Sequence, residues 1–196
     1  MSAPPFVGLT GGIGAGKSEA LAALARLGAA TLSADAVVHE LYGDPEVRAA
    51  VVARWGDEVA PGGAVDRAAV ARHAFATADE RRWLEGLIWP KVGERIAEWR
   101  AIESTREPQP RALVVETPLL FEAGLEANYD ATIAVVADDE VRAARAAARG
   151  HERVDERNAR QLTQSEKAER ATYTVENSGS IGELEQELSS VLAKLG

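Results

Sequence analysis

Eight consecutive residues near the start of the chain have the spacing G-x-x-x-x-G-K-S, which is typical of a loop that binds phosphate groups. They are Gly11, Gly12, Ile13, Gly14, Ala15, Gly16, Lys17 and Ser18. Glycines let successive backbone N–H groups turn toward one point, where the N-terminus of a following helix adds partial positive charge. In this pattern Lys17 reaches the β- and γ-phosphates, and the Ser18 hydroxyl is a ligand for Mg²⁺. The segment therefore predicts binding of a nucleoside triphosphate with Mg²⁺.

Such a loop requires a strand before it and a helix after it, and the sequence predicts both. Residues 6–10 form an apolar run, and apolar residues recur at helical spacing over 18–27. The alternative is a glycine-rich turn of some other α/β protein, but the lysine and the serine both stand in register for phosphate binding.

Four further short runs predict the remaining strands, at residues 29–33, 111–116, 131–136 and 173–175. All are apolar, as expected for a parallel sheet that is covered on both faces. A helix is predicted at 181–195, and helical patterns alternate with the strands. We therefore expect an α/β fold, a three-layer sandwich of the P-loop kinase type with a five-stranded parallel sheet.

Two segments interrupt this alternation. Residues 36–105 are helical in pattern and contain every tryptophan, so we expect a helical substrate-binding insert between the two parts of a nucleotide-binding core, 1–35 and 106–196. The tryptophans are expected mostly in the core of the insert. The second segment, 139–165, holds six arginines, which predict either a solvated surface helix or a helical lid that clamps phosphates. These are Arg142, Arg145, Arg149, Arg153, Arg157 and Arg160.

Two carboxylates follow predicted strands at the edge where open α/β sheets bind ligands. Asp35 comes after the second strand and either orients or deprotonates an acceptor hydroxyl, or caps the next helix. Glu116 ends the third strand, where a carboxylate faces Mg²⁺ through water in related sites, or it is an ordinary polar residue at a strand end.

Composition excludes several classes of protein. The net charge of −9 argues against a broad nucleic-acid-binding face. No apolar run approaches the ~18–20 residues of a membrane span, and no leader pattern precedes the first strand, so we expect a cytoplasmic protein. The absence of cysteine excludes disulfides and thiolate metal ligands. We expect a monomer or a small homo-oligomer.

The short chain, the arginine-rich segment and the position of Asp35 favour a small-molecule kinase over other proteins that contain a P-loop. A nucleoside monophosphate kinase is one alternative. A GTP-binding regulatory switch is another, but its Asn/Thr-Lys-x-Asp signature does not occur in this chain.

The sequence resembles the dephospho-CoA kinases over positions 8 to 180. Five blocks in the right order carry the resemblance: Gly8–Ser18, Ser33–Asp35, Pro118–Glu122, the lid pattern Arg149, Arg157 and Gln161, and the pattern Lys167, Ala171 and Asn177–Ser180.

The resemblance implies transfer of the γ-phosphate of ATP to the 3′-hydroxyl of dephospho-CoA, with Mg²⁺ as cofactor. It implies that Lys17, Asp35 and Arg149 are catalytic, and that Arg157 and Asn177 join the P-loop in binding the nucleotide. The chain departs from the family pattern where Asp is usual, at Ser33, Glu116 and Thr172, and it has Trp89 where His is common.

Overall fold

The protein is described here as a computed structural model that covers residues 3–148 and 161–196. Its five strands are β1 (Phe6–Gly11), β2 (Ala30–Ser33), β3 (Leu113–Glu116), β4 (Ala131–Val136) and β5 (Tyr173–Glu176). All neighbouring pairs are parallel, in the order β2-β3-β1-β4-β5. The prediction of an α/β fold with a five-stranded parallel sheet is confirmed, and the carboxyl ends of the strands form one edge.

Eight α-helices occur in the described part of the chain. They are α1 (Lys17–Arg26), α2 (Ala34–Leu41), α3 (Pro45–Trp55), α4 (Arg67–Ala74), α5 (Ala78–Ser104), α6 (Asp139–Ala148), α7 (Gln164–Arg170) and α8 (Ile181–Leu195). Thr163 and Ser180 start the last two with capping boxes, in which the hydroxyl and a glutamate three residues later satisfy free backbone N–H groups. Among the described residues, no helix is long and apolar enough to cross a membrane.

The sheet is covered on both faces because side chains alternate along each strand. On one face, Val7 and Leu9 of β1 belong to a fully buried cluster with α1 and α8. The other face carries Gly8 and Thr10, which lie against the segment that follows β3 and against α7. This packing fixes the carboxyl end of β1, from which the phosphate-binding loop leaves the sheet.

The chain divides into two compact units, Met1–Ser33 with Arg100–Gly196, and Ala34–Trp99. The first contains the sheet. The second contains α2 to α4 and most of α5, and its core gathers around Val51, Val59, Ala69 and Val70. The insert expected at 36–105 overlaps this second unit but continues beyond its end.

The tryptophans differ in their surroundings. Trp55 and Trp83 pack on the core of the second unit with ring centroids 5.0 Å apart, whereas Trp89 is 52% exposed. The expectation of a core position is therefore wrong for Trp89. Leu87 packs on that core, and two further residues turn a helix by about 200°, which takes Trp89 to the opposite side of α5.

Candidate active site

The loop between β1 and α1 has a backbone that requires glycine. Gly14 and Gly16 have φ angles of 77° and 90°, a region that L-residues with side chains rarely adopt. Both also lie against other parts of the chain: a Cβ on Gly14 would come 3.0 Å from the Arg142 Cα, and one on Gly16 would overlap the side-chain amide of Asn177. Glycine is therefore required at these two positions for two reasons: the positive φ angles and the lack of space for a Cβ atom.

Helix α1 begins at Lys17, directly after this left-handed glycine. The Lys17 ammonium donates to the carbonyl oxygens of Gly11 at 3.1 Å and Gly12 at 3.2 Å, so it lies along the loop that precedes it. Ser18 is exposed at the helix N-terminus. An ammonium, a hydroxyl and the N-terminal N–H groups of a ten-residue helix thus occur at one place, an arrangement suited to anionic phosphate oxygens.

Side chains from distant parts of the chain brace the loop. The buried Asn177 donates its side-chain amide to the Ala15 carbonyl at 2.8 Å, and Arg145 donates to the Asn177 carbonyl at 2.9 Å. Arg142 donates to the Ile13 carbonyl at 3.0 Å. The interpretation of these two arginines as a solvated helix face is wrong, because both bind backbone oxygens of the loop or of its brace.

The other four arginines of this segment lie outside the described residues, so their predicted roles in a lid stay predictions. These are Arg149, Arg153, Arg157 and Arg160. For Asn177, the structure gives a role in holding the loop. Its contact with a nucleotide stays a prediction.

Two polar side chains meet where β2 and β3 end side by side. Ser33 and Glu116 are paired in the parallel register, and the Ser33 hydroxyl donates to Glu116 Oε2 at 3.0 Å. Glu116 is only 7% exposed. In the dephospho-CoA kinases, which this sequence resembles, aspartate is usual at both positions. The structure shows that the two residues that replace these aspartates are in contact. Two close carboxylates would repel, whereas a hydroxyl and a carboxylate form a hydrogen bond.

Asp35 is exposed and lies in the first turn of α2, which begins at Ala34. Its alternative interpretation as an N-cap is therefore wrong, because a capping residue precedes the first helical residue. Ser33 directly precedes the first helical residue, and its hydroxyl donates to Glu116.

Lys167 is a feature whose role the sequence did not reveal. It is completely buried, and its ammonium lies 2.6 Å from the Pro118 carbonyl, 3.0 Å from Glu122 Oε1 and 3.5 Å from Thr10 Oγ1. Burial lowers the pKa of Lys167, and the Glu122 carboxylate opposes that shift. Its helix has the polar sequence QSEKAER, which gives no local signal of burial.

The described residues contain no cluster of three His, Cys, Asp or Glu able to hold a metal ion by themselves. The oxygen atoms of Ser18 and Glu116 fit a magnesium ion, which prefers hard oxygen ligands and in nucleotide sites takes most of them from phosphates and water.

Comparisons with known proteins identify relatives of this chain. A family model described as dephospho-CoA kinase matches residues 5–183. A dephospho-CoA kinase of Symbiobacterium thermophilum is 39% identical over 182 residues, covering 90% of this chain and 75% of the relative. One from Deinococcus radiodurans is 37% identical over 195 residues, covering 98% and 93%. A Thermus thermophilus protein of known crystal structure superimposes with a TM-score of 0.81 at 34% identity, with both chains fully covered.

Proposed function

This chain belongs to the dephospho-CoA kinase family, and from that premise we propose how its own residues carry out the reaction. The family match extends over residues 5–183, so it includes both the sheet and the insert. This match is the observation that supports dephospho-CoA as the acceptor. The chain is an ATP-dependent kinase that acts on dephospho-CoA, in the last step of CoA synthesis. The acceptor atom is the ribose 3′-hydroxyl.

The loop from Gly11 to Ser18 binds the phosphates of ATP. Its backbone N–H groups and the N-terminus of α1 supply donors that are fixed before substrate arrives, because Asn177 and Arg142 hold the loop carbonyls. Lys17 exchanges its two carbonyl contacts for phosphate oxygens. Its charge then stabilises the γ-phosphoryl group while the bond to the β-phosphate oxygen breaks.

Mg²⁺ is the proposed cofactor, and the Ser18 hydroxyl and the Glu116 carboxylate are the groups that would hold it. When bound, it neutralises charge on the β- and γ-phosphate oxygens. The hydrogen bond from Ser33 fixes one oxygen of the Glu116 carboxylate and leaves the other for this task.

Asp35 orients the 3′-hydroxyl of the acceptor, supported by its position two residues after the end of β2. The hydroxyl oxygen forms the new bond to the γ-phosphorus, and its proton passes to the Asp35 carboxylate or to water. Transfer through a loose transition state depends more on positioning than on a strong base, so orientation is the main role of Asp35. Arg149 stabilises the charge on the transferred group, and Arg157 binds the phosphates of the nucleotide.

The test is acceptor choice by the purified protein with ATP and Mg²⁺. Dephospho-CoA, AMP, dTMP and pantothenate are supplied at equal concentration, ADP formation is followed, and the position of the new phosphomonoester is determined by ³¹P NMR. Dephospho-CoA should give the highest kcat/KM and a 3′-phosphate product. Faster phosphorylation of AMP would identify a nucleoside monophosphate kinase instead.

A further inference from the structure

The second unit contains a cavity with a cationic lining. It is an open depression at the surface of this unit, with a volume of about 370 Å³. Its polar side chains come from α2, α3 and α4 and from the turn after α2, and its remaining wall is small or apolar. The lining residues are His39, Tyr42, Gly43, Arg48, Gly63, Ala64, Val65 and Arg67. None of them is acidic.

The two arginines of this cavity lack the carboxylate partner that most basic residues of the second unit have. Most basic residues of the second unit have a carboxylate within 4 Å, as in the pairs Arg54–Glu80, Arg81–Glu85, Arg82–Asp79, Lys91–Glu46 and Arg95–Glu98. Within residues 3–148 and 161–196, Arg48 and Arg67 form no such pair, and both are exposed. Arg72 is also unpaired, but it does not line the cavity, where the other two lie together. In a chain with a net charge of −9, two unpaired guanidinium groups at one cavity indicate an anionic ligand.

One hydrogen bond and one electrostatic effect concern the arginines of this lining. Arg48 Nη1 donates to the Gly63 carbonyl at 2.9 Å, which uses one of the five N–H donors of the guanidinium group and fixes its position. Burial raises the pKa of Tyr42, and the positive charge of Arg67 opposes that rise, as expected if the guanidinium group lies close to the phenol.

A neighbouring cavity provides an internal comparison. It has a volume of about 340 Å³ and also borders Gly43, but Glu40 and Asp44 line it beside Arg95. The carboxylates there make binding of a polyanion unfavourable. Anion affinity is therefore expected on only one side of Gly43.

The cavity also stands in a fixed relation to Asp35. Asp35 and His39 are four residues apart on α2, so they share a face, and Tyr42 continues that face at the helix end. One turn of helix rises about 5.4 Å, a distance comparable with the span of a ribose from its 3′-hydroxyl to its 5′-phosphate. An acceptor whose 3′-hydroxyl lies at Asp35 can place its 5′-phosphates beside His39.

We propose that the cavity formed by His39, Tyr42, Arg48 and Arg67 binds the diphosphate group of the acceptor nucleotide. The inference rests on the proposed function, because it requires Asp35 to hold the acceptor hydroxyl. The diphosphate is the charged group of dephospho-CoA, and its oxygens match the forked donors of two arginines. The phosphates of the acceptor and those of ATP are thus bound by different residues.

The test compares Arg67→Gln with Arg72→Gln, a matched control on the same helix that is exposed and does not line the cavity. Arg67→Gln should raise the KM for dephospho-CoA about tenfold or more, the effect of losing one charge-assisted hydrogen bond. The KM for ATP and kcat should stay within about twofold of the wild-type values, and Tm should stay within a few degrees. Calorimetry with dephospho-CoA alone should show the same loss of affinity, and Arg67→Lys should recover part of it. Arg72→Gln should behave as wild type.

Two results overturn the inference while the proposed function stands: an unchanged KM for dephospho-CoA in Arg67→Gln, or equal increases in KM for ATP and dephospho-CoA. Failure of the proposed function looks different, because the wild-type protein would then prefer another acceptor in the assay described above.

Discussion

The buried ion pair between Lys167 and Glu122 provides a sharp test of the structure, through the single substitution Lys167→Met. Methionine fills a similar volume without charge. The substitution removes an ammonium that lies 2.6 Å from the Pro118 carbonyl and 3.0 Å from the Glu122 carboxylate. The Glu122 side chain is 13% exposed and keeps only the Leu162 N–H, at 2.8 Å, as a hydrogen-bond donor among the described residues.

The expected loss in the free energy of unfolding follows from the burial of this ion pair. Removing one partner of a buried ion pair leaves an uncompensated charge and costs about 3–5 kcal/mol. For a chain of this length each kcal/mol lowers Tm by roughly 2–4 °C, so Tm should fall by about 10 °C. The double variant Lys167→Met/Glu122→Leu should recover most of the loss, because it removes both charges together.

The assay is urea unfolding followed by far-UV circular dichroism, because every tryptophan lies in the second unit and Lys167 lies in the first. Arg170→Met is the matched control. Arg170 lies on the same helix and pairs with Glu126, but both side chains are partly exposed, and exposed pairs contribute about 0–1 kcal/mol. A Lys167→Met variant within 1 kcal/mol of wild type would refute the argument. A double variant Lys167→Met/Glu122→Leu that is less stable than Lys167→Met would also refute it.

Three further predictions concern the active site and the second unit. Lys17→Ala should lower kcat by about 10²–10³ with an unchanged Tm, because the loop backbone is held by other residues; near-normal turnover would exclude a catalytic role for this lysine. Asp35→Asn should lower kcat with little change in the KM for ATP and none in Tm, since Asp35 is exposed; loss of stability with normal turnover would make the residue structural. Hydrogen bonds from Arg54 and Trp55 lower the pKa of Glu80. This stabilisation exists above the unfolded-state pKa and is lost as pH falls through the lower folded-state value. The stability difference between wild type and Glu80→Gln should therefore shrink in urea titrations from pH 7 to pH 3, and a difference independent of pH would contradict the assignment.

Parts of this protein follow from short stretches of sequence. The strand–loop–helix unit around Lys17 was predictable because its requirements are local: an apolar run, glycines at positive φ and a helix that begins directly afterwards. The limits of β4 and of α8, Ile181–Leu195, also agree with the pattern, since apolar periodicity and a capping serine act within a few residues. Other boundaries differ by one or two residues. Strand β3, for example, begins at Leu113 rather than at 111.

The sequence did not determine the contacts between segments that lie far apart in the chain. Ser33 and Glu116 are 83 residues apart, and Asn177 is 162 residues from the loop carbonyl that it binds. Such pairs depend on the order and register of strands β2-β3-β1-β4-β5, which no local propensity specifies. The same holds for Lys167, because a lysine in a polar helix becomes buried only when the sheet and the segment after β3 enclose it. The sequence by itself determined which residues are able to bind phosphate, and the tertiary structure alone decided which side chains hold them in place.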